Sequence, residues 1–234
     1  MPRPRAPSPT PGRDLTEPLR DDDVVVEVAG ATVGGRLTVP PEPRGIVVFA
    51  HGSGSSRHSP RNRFVAEVLQ SAGLATLLFD LLTPEEEANR ANVFDIDLLA
   101  ARLVGVTVWL RSIPDAAGLP VGYFGASTGA GAALRAAADP RVDIFAVVSR
   151  GGRPDLAGAA LPHVKASTLL IVGSRDETVL DLNRQAAAAM TAECQIAVVP
   201  GATHLFEEPG ALEQVAVLAR EWFTEHLTPI PLEP

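Results

Sequence analysis

Short, mostly apolar runs alternate along the chain with stretches in which apolar residues recur every three or four positions. The run Ile46-Val47-Val48-Phe49-Ala50 has no polar position on either side, which predicts a strand buried on both faces. Runs of the same kind recur at 75–79, 120–124, 145–149, 168–172 and 195–199. Ahead of them, 24–28 and 31–39 predict a hairpin turning near Gly30. Ile96, Leu99, Leu103, Val106 and Leu110 keep the spacing of an amphipathic helix, which Pro114 ends. Leu212, Val215, Ala219 and Trp222 do the same near the C-terminus. A hairpin followed by repeated strand–helix units predicts an α/β fold, with a mostly parallel central sheet and helices on both faces. Residues 81–92, with Glu85-Glu86-Glu87, are the one long polar insertion between units. They read as a solvated helix, with a small lid as the alternative.

Composition narrows the function classes. With 234 residues, 46% of them hydrophobic, the chain suits one domain with a sizeable core, over residues 23–228. Residues 1–22 are rich in Pro and Arg and poor in apolar side chains, so they read as a disordered tail, and 229–234 as a C-terminal tail. The start lacks the apolar stretch of a secretory signal, which gives a cytoplasmic expectation. A net charge of −8 argues against nucleic acid as a partner, and no run is long enough to span a membrane. A single cysteine, Cys194, excludes an intrachain disulfide and a cysteine-built zinc site; beside an apolar run, it reads as a buried small hydrophobe. No metal site is expected. A small molecule is the partner left.

Ligands of open α/β sheets bind at the carboxyl ends of the strands, so the loops after the strands are where chemistry belongs. The strand at 120–124 runs into Gly125-Ala126-Ser127-Thr128-Gly129 and then an alanine-rich helix. This is G-x-S-x-G in the strand–turn–helix setting of a nucleophile elbow, which makes Ser127 the expected nucleophile. A serine needs a base. Of His51, His58, His163, His204 and His226, only His204 lies in a loop between the last strand and the last helix. The imidazole in turn needs a carboxylate to fix its tautomer. Asp176, in Gly173-Ser174-Arg175-Asp176-Glu177 after the strand at 168–172, is expected, with Glu177 and Asp181 as competitors. An Asp at that place could instead cap the next helix. For the oxyanion hole, the backbone N–H of Thr128 is one expected donor. The other comes from the small-residue loop His51-Gly52-Ser53-Gly54-Ser55-Ser56, with Ser53 preferred and Gly54 as alternative. His51 is expected to brace this loop. Two arginines, Arg57 and Arg150, also follow strands and could hold a substrate carboxylate. Otherwise Arg150 pairs with Asp176 or Asp155, and Arg57 is solvated.

HGSGSS, GASTG, GSRDET and GATH, in this order on this strand pattern, resemble the α/β-hydrolase superfamily, nearest to dienelactone-hydrolase-like enzymes, over residues 24–227. The resemblance implies a compact hydrolase with no large cap domain and no cofactor. It also implies that arginine can serve a substrate carboxylate, although Arg57 and Arg150 match by location and not by motif. Dienelactone hydrolases proper carry cysteine in the elbow. Ser127 stands there in this chain, which favours cleavage of a small ester through an acyl-enzyme. A lactone, thioester or phosphoester substrate is the alternative within catalysis, and a catalytically silent binding module the alternative outside it.

Overall fold

The computed structural model describes residues 17–28 and 30–227. The expectations for residues 1–16 and for the C-terminal tail lie outside these described residues. Eight strands form one sheet: β1 (Arg20–Val28), β2 (Ala31–Val39), β3 (Ile46–Ala50), β4 (Ala75–Phe79), β5 (Val121–Ala126), β6 (Ile144–Arg150), β7 (Ser167–Gly173) and β8 (Cys194–Val199). Their spatial order is β1-β2-β4-β3-β5-β6-β7-β8. The β1–β2 and β2–β4 pairs are antiparallel, and every other pair is parallel.

The hairpin begins at Arg20, inside the segment expected to be tail. Its ladder runs from Arg20 opposite Val39 to Val28 opposite Ala31. Arg20, Asp21, Asp22 and Asp23 carry no apolar signal, but ladder pairing needs only backbone groups. Asp21 further accepts from Arg36 Nη2 at 2.8 Å and from Thr38 Oγ1 at 2.9 Å. At the other edge, β8 is exposed along one side, with Val198 at 44%, and Cys194 is half-buried. An outermost strand has a neighbour on one side only, which the apolar run could not reveal.

Alternation along β3 sends Ile46 and Val48 into one core and Val47 and Phe49 into the other. Helices α4 (Ile96–Leu110) and α5 (Thr128–Ala137) cover the first core through Leu99, Leu103 and Leu134. Helices α1 (Pro60–Ser71) and α7 (Ala211–His226) cover the second through Val65, Leu69, Val215 and Phe223. Helix α6 (Glu177–Ala189) follows β7. The polar insertion is two single turns, α2 (Pro84–Glu87) and α3 (Arg90–Val93), in place of one solvated helix. A capping box of Thr83 and Glu86 closes the start of α2. Among the described residues, no helix is long and apolar enough to cross a membrane.

The chain leaves β3 toward β4 on one side and returns to β5 on the other. The carboxyl ends of β3 and β5 therefore flank the switch point of the sheet, where such folds bind ligands.

Candidate active site

Ser127 joins β5 to α5 at φ 50° and ψ −122°, in a region that costs a non-glycine residue free energy. Three hydrogen bonds hold it there. Its N–H donates to Arg150 O at 3.3 Å, and its carbonyl accepts from Ala130 N–H at 3.1 Å and Arg153 N–H at 3.0 Å. The second glycine of the motif is needed for space, because a Cβ on Gly129 would lie 2.2 Å from Ala50 O. Helix α5 can thus start directly against the end of β3.

His204 and Asp176 come together as expected: His204 Nδ1 lies 2.7 Å from Asp176 Oδ2. The carboxylate is shielded, with the Asp176 side chain 16% exposed against 40% for His204. Asp176 stands at the N-cap of α6, yet makes no side-chain capping bond. Of its competitors, Asp181 pairs with Arg184 at 2.9 Å, and Glu177 is exposed on the first turn of α6. With Nδ1 committed to a carboxylate, Nε2 is the nitrogen of His204 left for chemistry. His204 lies against the end of β6, since a Cβ on Gly151 would fall 3.6 Å from its Nδ1. Among the described residues no hydrogen bond joins Ser127 to His204; such bonds are often long before substrate binds.

On the other flank of Ser127 lies the loop after β3. Gly52 packs on the nucleophile candidate, where a Cβ would be 3.0 Å from Ser127 Cβ. The Ser53 N–H is engaged: it donates to Thr128 Oγ1 at 3.0 Å. His51 braces the loop. Its Nε2 accepts from Leu81 N–H at 3.0 Å, and its Nδ1 lies 3.0 Å from Gly52 O, which assigns the ring proton to Nδ1. Burial holds the pKa of His51 below its ordinary value, opposed by the Gly52 carbonyl and the charges of Asp80 and Glu87. The ring is a neutral strut.

The two arginines differ. Arg57 is not solvated: its backbone N–H donates to Asp80 Oδ1 at 2.8 Å, and its guanidinium pairs with Asp80 Oδ2. Arg150 pairs with neither of the acids expected, because Asp155 pairs with Arg153 and Asp176 with His204. It is 8% exposed, and its Nε and Nη1 have no partner among the described residues. Burial, then the charge of Arg61, lowers its pKa to about 10.

A cavity of 210 Å³ opens beside the loop after β3. Its walls combine Ser53, Ser55 and Thr128 with apolar Leu81, Val93 and Leu99. The polar insertion therefore borders the site. For 81–92 the sequence offered a small lid only as the alternative to a solvated helix, and Asp80 went unnoticed, although it follows β4 directly and the strand-end rule would have flagged it. Among the described residues no group of three or more His, Cys, Asp or Glu could hold a metal ion.

No protein-family model matches the chain. Two Mycobacterium tuberculosis proteins, which carry a provisional phosphoribosyl transferase name, are 72% identical over 210 residues. The match covers 90% of this chain and 47% of theirs, so the chain spans about half the length of the curated relatives it matches. A dienelactone hydrolase from Anabaena variabilis is 58% identical, with a TM-score of 0.86 over 90% of this chain and 99% of that one. Est1E from Butyrivibrio proteoclasticus, 16% identical with a TM-score of 0.75, covers 87% of this chain and 98% of its own, and shares the fold. Its strand order, its elbow and its likeness to the Anabaena enzyme over nearly the whole of both chains place this protein: it belongs to the α/β-hydrolase superfamily, in the dienelactone-hydrolase-like branch.

Proposed function

We propose that the chain is a serine hydrolase that cleaves a small ester or lactone through an acyl-enzyme on Ser127. The observation that carries this reading is the 2.7 Å bond between His204 and Asp176, at the carboxyl edge that also holds Ser127 at positive φ. A carboxylate on Nδ1 fixes the tautomer that presents a basic Nε2, and stabilises the ring once it is protonated. Ser127 Oγ attacks the carbonyl carbon and its proton passes to Nε2. The tetrahedral oxyanion forms at the positive end of α5, near the Thr128 N–H and the loop after β3. Collapse expels the alcohol, which takes the proton from His204. Water then attacks the acyl-enzyme, with the same nitrogen as base, and the acid departs.

The name of the Anabaena relative favours lactones among the substrates, and the serine in the elbow favours simple esters; a thioester or phosphoester would use the same groups. Arg150, whose carbonyl accepts from the Ser127 N–H and whose buried guanidinium has no partner for Nε and Nη1 among the described residues, is the residue assigned to a substrate carboxylate, and Arg57 braces its loop through Asp80. The M. tuberculosis relatives match this chain at 72% identity over 210 residues, which are 90% of this chain and 47% of theirs. We assign the transferase in their name to the half of those chains outside the match.

The missing Ser127–His204 bond supports a second reading, a silent binding module. Labelling with a fluorophosphonate, read by intact mass, separates the two. One adduct per chain, lost in Ser127→Ala, is expected, together with turnover of p-nitrophenyl acetate. A folded wild type that takes no adduct would favour the binding module.

A further inference from the structure

The Ser53 amide is the donor that the loop after β3 was expected to offer the substrate, and it is already spent on Thr128 Oγ1. A hydroxyl has one proton to donate and two lone pairs to accept with. Accepting the Ser53 N–H leaves the Thr128 proton free, and no acceptor for it is present among the described residues. Thr128 is 6% exposed and lines the cavity beside the loop after β3, the loop whose Gly52 packs on Ser127. Its backbone N–H stands in the first turn of α5, where amides lack intrahelical partners.

We propose that the Thr128 side-chain hydroxyl is itself an oxyanion donor, anchored by the Ser53 N–H. The proposal rests on Ser127 being the nucleophile. The elbow residue then supplies two donors, its amide and its hydroxyl, and Ser53 acts through the second. Threonine in a helix divides between χ1 rotamers. The Ser53 N–H selects the one that keeps the oxygen facing the loop and the proton facing the cavity. Donation into the oxygen also polarises its own O–H, so a chain of two bonds is stronger at its free end than a lone hydroxyl. No proton moves along this chain. It is a fixed dipole aimed where charge develops, with little reorganisation as the intermediate forms.

The test compares Thr128→Ser, which keeps the hydroxyl, with Thr128→Val, which keeps the shape and removes it. The readout is the second-order rate of Ser127 labelling by a fluorophosphonate, whose attack also builds charge on oxygen. Thr128→Ser should label close to the wild-type rate. Thr128→Val should be slower by about a hundredfold, the low end for one lost oxyanion donor. The shape of its pH–rate profile should stay as in wild type, because His204 and Asp176 are untouched, and its thermal midpoint should fall only slightly, because the N–H of exposed Ser53 that loses its acceptor can turn to water. Should Thr128→Val fail to fold, Thr128→Ala carries the same expectation. Labelling of the valine variant at or above the wild-type rate would overturn the proposal. So would a serine variant as slow as the valine one, which would point to packing of the methyl, or a displaced pH profile, which would point to His204. If wild type itself takes no label, the nucleophile assignment fails and this proposal with it. If wild type labels and the valine variant matches it, only this proposal fails.

Discussion

Asp176 occupies the N-cap of α6, but its carboxylate makes no bond to that helix and accepts from His204 Nδ1 at 2.7 Å. An Asp at a helix start that forgoes capping gives up about 1 kcal/mol of available stability. That points to selection for the imidazole contact. Asp176→Asn should therefore leave the unfolding midpoint nearly unchanged, since no capping bond is lost. An asparagine amide can present hydrogens to the ring and trap the wrong tautomer. In a serine protease the same change costs about 10⁴ in kcat, and a drop of about that order is expected on p-nitrophenyl acetate. Glu177→Gln and Asp181→Asn should retain near wild-type turnover. If either of these cripples the protein while Asp176→Asn does not, the carboxylate is misassigned.

Arg150 should separate from Arg57 once substrate charge is varied. A buried guanidinium without an acid is costly to fold. Arg150→Met should accordingly match or exceed wild type in thermal midpoint. On a neutral ester its KM should change little, and on the carboxylate-bearing analogue KM should rise by about tenfold, the order of one charge-assisted hydrogen bond. Arg57→Gln breaks a pair with Asp80 and should affect both substrates alike. Equal losses on both substrates for Arg150→Met would remove it from the substrate-binding site.

The sheet could be read from the sequence because its signal is local. Each two-sided strand is a short run dominated by apolar residues, and the elbow, the base and the acid each follow such a run within a few residues. What failed to show was whatever depends on neighbours. Arg20 to Asp23 join the hairpin through backbone bonds that leave no apolar trace. The edge position of β8 depends on strand order, which no single run encodes. Arg57 and Asp80 are 23 residues apart in sequence, and Ser53 and Thr128 are 75 apart. Pairing of short polar side chains over such separations leaves no periodicity to read. Arg102 is the sharpest case: it lies three residues after Leu99 on the buried face of α4, a place where a charge contradicts the pattern.

His51 makes the stability of the fold depend on pH. Burial keeps its folded pKa below the ordinary value, so in the folded state it takes up a proton less readily than in the unfolded chain. Stability should then be lost as pH falls from about 6.5, the unfolded value, toward the depressed folded one. Protonation would place a hydrogen on Nε2, facing the Leu81 N–H that it now accepts. His51→Gln should be less stable than wild type at neutral pH, because one side chain amide cannot span both contacts. Its stability should fall less between neutral and mildly acidic pH. Urea midpoints at both ends of that range give the two slopes, and parallel slopes would show that His51 does not control the effect.

The wall of the cavity rests on Arg102, whose side chain has no exposed surface and donates through Nη2 to Glu86 Oε1 at 2.8 Å. Nε and Nη1 have no partner among the described residues. Burial works against ionisation of Glu86, but the Thr83 backbone and Arg102 together hold its pKa below the ordinary value. The pair's contribution is thus present above the ordinary carboxyl pKa and is lost as pH falls through the depressed one. The two partners should not be equivalent. Glu86→Gln strands a fully buried cation, and removing one partner of a buried pair costs about 3–5 kcal/mol. The 27% exposure of Glu86 places the expectation at the low end. Arg102→Met removes the cation, fills similar space, and leaves a carboxylate that still reaches water and still caps α2. It should cost well under half as much by urea denaturation. Both changes loosen Pro84 and Glu87 at the cavity rim, so KM for a bulky ester should rise more than KM for an acetate, with kcat on acetate preserved. If Arg102→Met costs as much as Glu86→Gln, the buried charge is not what makes Glu86 necessary, and packing of the long Arg102 stem would be the better account.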